Sequence, residues 1–356
     1  MALVYILSVI VVLGILIFVH EFGHFIVAKW CNVGVLKFSF GFGPRIVGKK
    51  IGETEYLVSA VPLGGYVKLL GESDDEKELP EEDLERSFAH KPVSRRFAIV
   101  AAGPVFNFLF AIIAFALVFM LGVPTPTTRV GDVQDETPAA SAGIQKGDKI
   151  RQIDGKPVKY WEEMASIIRS SEGRPLNVLV EREGEILNVL VVPREVEVTD
   201  IFGEIKKSYA IGVVMSDDIV IKRENPFRAL ISGVDQTWWL TKLVFQSIAK
   251  IFQRVVSPKE LAGPVFIAKM SGDAAQQGLA PFIYFIAFIS VNLAILNLLP
   301  IPILDGGHLM FFLVEAVTGR EVNRKVREAA QTVGFFLLML LILWVTFNDI
   351  LRIRGD

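Results

Sequence analysis

Cysteine is almost missing from this chain. Cys31 is the only one, which excludes an intramolecular disulfide and any metal site built from several thiolates. Histidine is scarce as well, with four in 356 residues, so a metal centre must combine a few imidazoles with carboxylates. The formal net charge of -2 provides none of the broad basic field that marks nucleic-acid binding. The N-terminus lacks a positive charge: no Lys or Arg precedes the apolar run from Leu3 to Val19. That run is long for a signal-peptide core and leads into His20-Glu21 instead of a small-residue cleavage site. It reads as a retained membrane helix.

What the chain has in excess is apolar residues, 52% of the total, with a mean hydropathy of +0.46. The excess is concentrated in four segments that suit a bilayer needing about 20 helical residues per crossing. Expected spans run from about Leu3 to Ala28, Phe97 to Val123, Pro281 to Leu304 and Thr332 to Phe347. Leu309 to Val317 is apolar but too short to cross. Between the first two spans, Phe38 to Pro44, Tyr56 to Val58 and Gly64 to Val67 are rich in Gly and β-formers, which predicts hairpins. The acidic run from Asp74 to Glu85 reads as a solvated loop.

Residues 127–218 form an island of ordinary soluble composition. It has strand-like runs (Val178 to Val180, Leu187 to Val192), a helix-like segment (Glu162 to Arg169) and turns at Asp154-Gly155 and Glu183-Gly184. Residues 219–280 read as an amphipathic segment whose Trp238, Trp239, Phe245, Phe252 and Phe266 suit a helix at the membrane surface or one packed on the island. Residues 1–126 and 281–356 are then the two halves of a membrane core. Lys29, Lys37, Arg45, Lys49, Lys50, Lys91, Arg95 and Arg96 flank spans one and two, and Arg320, Arg324, Lys325 and Arg327 follow span three. Both loops are expected to be cytoplasmic, with the island outside.

The chemistry begins at His20-Glu21-Phe22-Gly23-His24. On a helix, positions i and i+4 lie about 40° apart around the axis and about 6 Å along it, so both imidazoles can reach one ion. Glu21 beside them can take a proton from water. The alternative is a pair of core histidines. Ionisable residues inside a span cost about 2.5–3.5 kcal/mol each even on the lenient insertion scale, so three of them need a compensating partner, and a metal is the simplest. A catalytic zinc wants three protein ligands and one open position.

The second signal is Asn297-Leu298-Leu299-Pro300-Ile301-Pro302-Ile303-Leu304-Asp305-Gly306-Gly307. Its prolines break the helix and free carbonyls at membrane depth. Asp305 could complete the set, although Asp-Gly is also a common turn. Topology favours the ligand: HExxH and Asp305 each fall near the inner end of a span running inward. His308 could add a bond to Asp305, and His90 reads as solvated. Gly103-Pro104 and Asn107 would break the second span beside the site, or else mark a packing kink.

Taken together these residues resemble the site-2 proteases, especially the bacterial group of the regulator of sigma-E protease type. The motifs that carry the likeness are HExxH in the first span, Phe42-Gly43-Pro44, Gly103-Pro104-Val105-Phe106-Asn107, and Asn-x-x-Pro-x-Pro-x-x-Asp-Gly. A PDZ-like insert adds to them, with Ser141 to Ile150 followed by Ile153-Asp154-Gly155. The resemblance implies an α-helical polytopic membrane protein with four transmembrane helices, membrane-associated β-hairpins and one extracytoplasmic, circularly permuted PDZ domain.

For the site, it implies one zinc ion per chain on His20, His24 and Asp305, with Glu21 as general base. Asn297 and the backbone at Pro300 and Pro302 would hold the substrate strand, and a Gly41 to Gly43 hairpin would pair with it. Tyr209, Ile211 and Gly212 would line the PDZ peptide groove. Expected partners are single-pass membrane proteins already trimmed by another protease, within the lipid of a bacterial inner membrane, and no nucleic acid. Some relatives carry two PDZ domains in tandem, whereas this chain has room for one. A metal transporter and an inactive PDZ scaffold are the rival readings. Glu21 between the histidines argues against the first, and the full set His20, Glu21, His24 and Asp305 against the second.

Overall fold

The computed structural model describes residues 2–72 and 80–355. The chain begins with α1 (Ala2–Trp30), β1 (Val35–Ile51), β2 (Thr54–Leu69), a helical turn α2 (Glu81–Leu84) and α3 (Val93–Leu121). There follow β3 (Val123–Pro126), β4 (Val130–Val133), α4 (Pro138–Ser141), β5 (Lys149–Ile153), β6 (Lys156–Pro157), α5 (Trp161–Arg169), β7 (Leu176–Arg182) and β8 (Glu185–Val191). Next come β9 (Arg194–Thr199), β10 (Ile205–Ala210), β11 (Val213–Met215) and β12 (Ile219–Lys222). The last helices are α6 (Pro226–Phe252), α7 (Pro264–Gln277), α8 (Leu279–Leu298), α9 (Asp305–Thr318) and α10 (Arg324–Gly355). Two compact units result, one of residues 1–120, 225–249 and 257–356, the other of residues 121–224 and 250–256.

In the first unit four helices are long and apolar enough to cross a membrane: Leu3–Trp30, Val93–Leu121, Leu279–Leu298 and Arg324–Arg352. Their outward faces stay apolar, as at Leu337, Leu340 and Leu343 of α10. Water would make such a surface unstable, whereas lipid would not. Two spans differ from the sequence expectation. The third ends at Leu298 and not at Leu304, because Leu299 and Ile301 each precede a proline, which disfavours the helical conformation there; Leu299 is extended, with ψ 145°. The fourth is far longer than Thr332 to Phe347, since polar residues at each end continue the helix.

The predicted hairpins are one folded sheet. β1 and β2 pair around Gly52-Glu53, but Phe38, Ser39 and Phe40 also face Tyr56, Leu57 and Val58 on one side and Val67, Tyr66 and Gly65 on the other. Gly41 and Gly43 therefore do not form a hairpin tip. They lie at an irregular corner within β1, with φ of +97° and +86°, where the register slips. Glycine is needed at Gly41 because a Cβ there would meet the Ser59 and Val61 carbonyl oxygens at 2.9 Å. Of the acidic run expected to be a loop, residues 74–79 lie outside the described residues, and Glu81–Leu84 forms a helical turn.

The stretch read as a single amphipathic segment is divided into β12, α6 and α7. Gly233 of α6 lets that helix approach α3 closely, since a Cβ would meet the Ile112 carbonyl oxygen. Leu240 joins a core with Ala111 and Phe115 of α3 and Ala287 and Val291 of α8. α7 packs on α1 through Gly272, which seats the Tyr5 ring, and Tyr5 donates a 2.7 Å hydrogen bond to Asp273.

The second unit is built on the sheet β6-β5-β7-β8. β7 and β8 turn at Glu183-Gly184, both with positive φ, the geometry that two-residue hairpins favour. Inward residues of alternating strands (Ile150, Ile153, Val178, Val180) pack with Met164 and Ile168 of α5 and with Ile211 into one core. Asp148, with a side chain 1% exposed, accepts two bonds from Arg182, at 2.8 and 2.7 Å, and one from the Gln145 backbone N–H. β3 and β12 pair at the neck, with Pro126 opposite Ile219.

Candidate active site

α1 places His20, Glu21 and His24 on one face, as the i, i+4 spacing requires. Asp305 reaches them from the first turn of α9. It gets there because Gly306 and Gly307 nest that turn against the broken segment: Cβ atoms on them would overlap the carbonyls of Leu298, Leu299 and Ile301. One donor atom each from His20, His24 and Asp305 lies within 4.8 Å of the others. His20 Nε2 is 3.3 Å from His24 Nε2 and 3.1 Å from Asp305 Oδ2, and His24 Nε2 is 3.6 Å from the same oxygen.

This arrangement fits a metal ion. Asp305 Oδ2 is buried with no hydrogen-bond partner, a costly state for a carboxylate unless a cation satisfies it. Two imidazoles and one carboxylate match the donor chemistry of a catalytic zinc with an open position. His24 Nδ1 lies 2.9 Å from the Ile99 carbonyl oxygen. A carbonyl only accepts, so Nδ1 carries a proton, and in the neutral ring that leaves the Nε2 lone pair free for a metal.

Glu21 stands beside the triad. Val67 lines the same cavity beside it, and Gly65 approaches so closely that a Cβ would be 3.2 Å from Glu21 Cγ. A cavity of about 510 Å³ opens onto this cluster, lined by His20, Glu21, His24 and Asp305 together with Tyr66, Glu72, Arg96, His308 and Arg327. Arg96 is 7% exposed; it is ion-paired with Glu315 of α9 and packs over the Phe312 ring at 5.2 Å. The pair ties the start of α3 to α9, the helix that begins with Asp305.

The other expected residues divide. Asn297 is at the centre, its Nδ2 3.4 Å from His20 Nε2. Pro300 and Pro302 line a separate groove of apolar side chains against Ala330, Val333 and Leu337 of α10. That groove is larger, about 630 Å³, but it holds no titratable group, so the chemistry belongs to the smaller cavity. Gly41 and Gly43 do not line the catalytic cavity; the β-strand beside Glu21 is Gly65 to Val67. His308 lies in the cavity wall 3.4 Å from the Gln331 amide, and His90 is exposed beside Ser87. Tyr209, Ile211 and Gly212 come together in a groove between α5 and β10 with Met164 and Ile168.

Sequence reading missed Arg96, Tyr66 and Val67. Arg96 carried a signal, a cation at the start of an apolar span. The two strand residues carried none, because only the fold of β2 brings them to Glu21.

Residues 8–341 match the sequence profile described as Peptidase family M50. The chain belongs to this family. Among relatives, this M50 chain is 36% identical to a protein of Agrobacterium fabrum named "Putative zinc metalloprotease", over 99% of this chain and 97% of that one. It is 32% identical to the regulator of sigma-E protease RseP of Escherichia coli, over 97% of this chain and 98% of that one. Among solved structures, the PDZ domain of an SdrC-like protein from Listeria monocytogenes is 25% identical, over 27% of this M50 chain and 94% of that one, with a TM-score of 0.22.

Proposed function

We propose that this chain is a zinc-dependent intramembrane endopeptidase that hydrolyses peptide bonds within the transmembrane segments of single-pass membrane proteins. The observation that carries the reading is the convergence of His20, His24 and Asp305 within 4.8 Å, on or beside helices long enough to cross a bilayer, with Glu21 next to them. Family membership and the names of the relatives support the peptidase and zinc parts.

In this reading His20 Nε2, His24 Nε2 and an Asp305 oxygen would hold one zinc ion, which would supply Lewis acidity to the attacking water and to the scissile carbonyl. Glu21 accepts the proton of the attacking water and returns it to the leaving amine nitrogen. The Asn297 amide, close to His20, holds a substrate carbonyl. A substrate helix hides its peptide bonds in its own hydrogen-bond ladder, so it must unwind before it can be cut. An extended stretch is then satisfied by pairing with strand edges of the β1–β2 sheet, at Gly65 to Val67 or at the corner of Gly41 and Gly43, and with carbonyls freed at Pro300 and Pro302.

The basic loops support an orientation in which the catalytic cavity lies towards the cytoplasmic side of a bacterial inner membrane. Residues 127–218 act as an extracytoplasmic PDZ domain of the permuted type, with Tyr209, Ile211 and Gly212 in its groove. Suitable substrates are anti-sigma factors or remnant signal peptides already trimmed outside, so cleavage passes a signal across the membrane. The test is incubation of the purified full chain with a model transmembrane peptide, with and without a zinc chelator. Chelator-sensitive cleavage inside the apolar segment is expected; cleavage only in flanking soluble sequence would sink the reading.

A further inference from the structure

The partners of the two imidazole Nδ1 atoms lie on one helix. Ile99, Gly103 and Asn107 are spaced four residues apart and so share one face of α3. The Ile99 carbonyl takes the His24 Nδ1 proton, and Gly103 leaves room for the two rings. Asn107 sets its side-chain amide 3.2 Å from His20 Nδ1. Asn107 is fully buried, 0% exposed, in the middle of an apolar helix. A polar side chain there is costly unless it is hydrogen-bonded.

The two ends of an amide are alike in shape, and hydrogen-bond chemistry decides which end faces which neighbour. With Nδ2 towards the ring, His20 Nδ1 must be the acceptor and the ring proton sits on Nε2. That proton would then point into the space where His24 Nε2 and Asp305 Oδ2 converge, 3.3 and 3.1 Å away. It would close off the one nitrogen able to ligate a metal there. The same pose leaves Asn107 Oδ1 buried without a partner. Turned by 180°, the amide presents Oδ1 to a protonated Nδ1, as the Ile99 carbonyl does for His24, and both Nε2 lone pairs face the same point. Metal-bound histidines generally donate their second N–H to such an acceptor.

We propose that Asn107 is the positioning residue of His20: its Oδ1 accepts a hydrogen bond from His20 Nδ1–H and holds Nε2 unprotonated and aimed at Asp305. This rests on the reading of the cluster as a metal centre. α3 is then the template that sets the tautomer of both imidazoles, and Ser290 of α8 steadies it by donating to the Asn107 backbone carbonyl at 2.8 Å.

The experiment compares the full chain in lipid nanodiscs as wild type, Asn107→Leu and Asn107→Asp. Leu keeps the branched outline at a somewhat larger volume and removes the acceptor, while Asp presents only oxygen. Two readouts are taken, zinc affinity by chelator competition and, in metal-free protein, the tautomers of ¹⁵N-labelled histidines. Four histidines make the spectrum assignable with a His20→Gln control. Metal-free wild type is expected to hold His20 as the Nδ1–H tautomer. Asn107→Leu should lose roughly 10–100-fold in zinc affinity and the tautomer preference, and Asn107→Asp should keep both within a few-fold. Wild-type affinity and tautomer in Asn107→Leu, or equal damage in both variants, would overturn the proposal, the second because it marks a merely structural role. A wild type that takes up no zinc removes the metal reading, while its metal-free tautomer still decides the Asn107 bond.

Discussion

Gly103 of α3 lies against the two imidazoles so closely that a Cβ on it would come within 2.6 Å of His20 Cε1 and 2.7 Å of His24 Cε1. Real Cβ contacts do not occur at such distances, so Gly103→Ala must push the rings apart. Alanine is the better helix former by about 1 kcal/mol, so local propensity predicts a firmer α3. The expected outcome is a helix content equal to wild type with at least a tenfold loss of bound zinc affinity and of cleavage. Zinc content and peptide cleavage measured together check this, and an alanine variant with normal zinc would mean that the rings have another place to go.

Glu21 is positioned beside the donor atoms but is not one of them. Glu21→Gln keeps the shape and removes the base, so cleavage should fall by at least 10²–10⁴-fold, the range for a lost general base, while zinc per chain stays near the wild-type level. Cleavage surviving in this variant would remove Glu21 from the mechanism.

Asp305 supplies the third donor, and its Oδ2 has no other partner. Asp305→Ala should lose activity and most of the zinc. His308 is only three residues on, in the same cavity wall. Full zinc occupancy in the alanine variant, lost again on adding His308→Ala, would move the ligand there.

How much of this could be read beforehand depends on the kind of residue. His20, Glu21, His24 and Asp305 were legible because membrane-buried ionisable groups demand a reason, and a four-residue spacing on a helix is a geometric statement. The break at Leu299 to Leu304 was legible from Pro300 and Pro302, although its helix boundary was placed six residues late. The position of Gly41 and Gly43 was not legible. Glycine pairs mark a turn, but whether it is a hairpin tip or a corner within a folded strand depends on pairing at both edges of Phe38 to Phe40, which composition does not encode. Asn107 illustrates the intermediate case: its oddity within an apolar helix was visible, and its partner, 87 residues away, was not.

In the second unit the Asp148–Arg182 clamp predicts a pH dependence. Burial disfavours the Asp148 carboxylate, but the Arg182 bonds and the Gln145 N–H outweigh it and hold its pKa below the ordinary Asp value of 3.8. A depressed native pKa means that the stabilisation is complete above the unfolded value and is lost as pH falls through the native one. Limited proteolysis of the full chain between pH 7 and 3 should show the island opening as acid is added. Asp148→Asn should be more easily cut at pH 7 and less sensitive to acid below pH 4. Parallel curves for the two proteins would assign the acid response to other carboxylates.

The last prediction concerns selection of substrates by residues 127–218. The residues that line the catalytic cavity all belong to the first unit, so the influence of the island should fall on which substrates are accepted and not on the bond-breaking step. Its neck permits a clean excision. Thr127 and Asp218 already meet through a 2.9 Å backbone bond and a 2.7 Å side-chain bond, and the β3–β12 ladder beneath them starts with Pro126 opposite Ile219. Replacing residues 127–218 by a two-residue Asn-Gly turn keeps that ladder, because such turns suit the twist of paired strands. The shortened chain should bind zinc as before and cleave a trimmed transmembrane substrate at a rate within a few-fold of the parent. Its discrimination against the same substrate with a folded outer domain should fall by roughly tenfold or more, the scale of about 1.4 kcal/mol in a rate ratio. If the groove near Ile211 and Gly212 instead captures a newly exposed peptide end by strand addition, excision will slow the trimmed substrate selectively and leave the untrimmed one unchanged. An unaltered ratio of the two rates, with zinc and activity intact, would show that the island does not select, and would direct the search for the gate to α6 and α7.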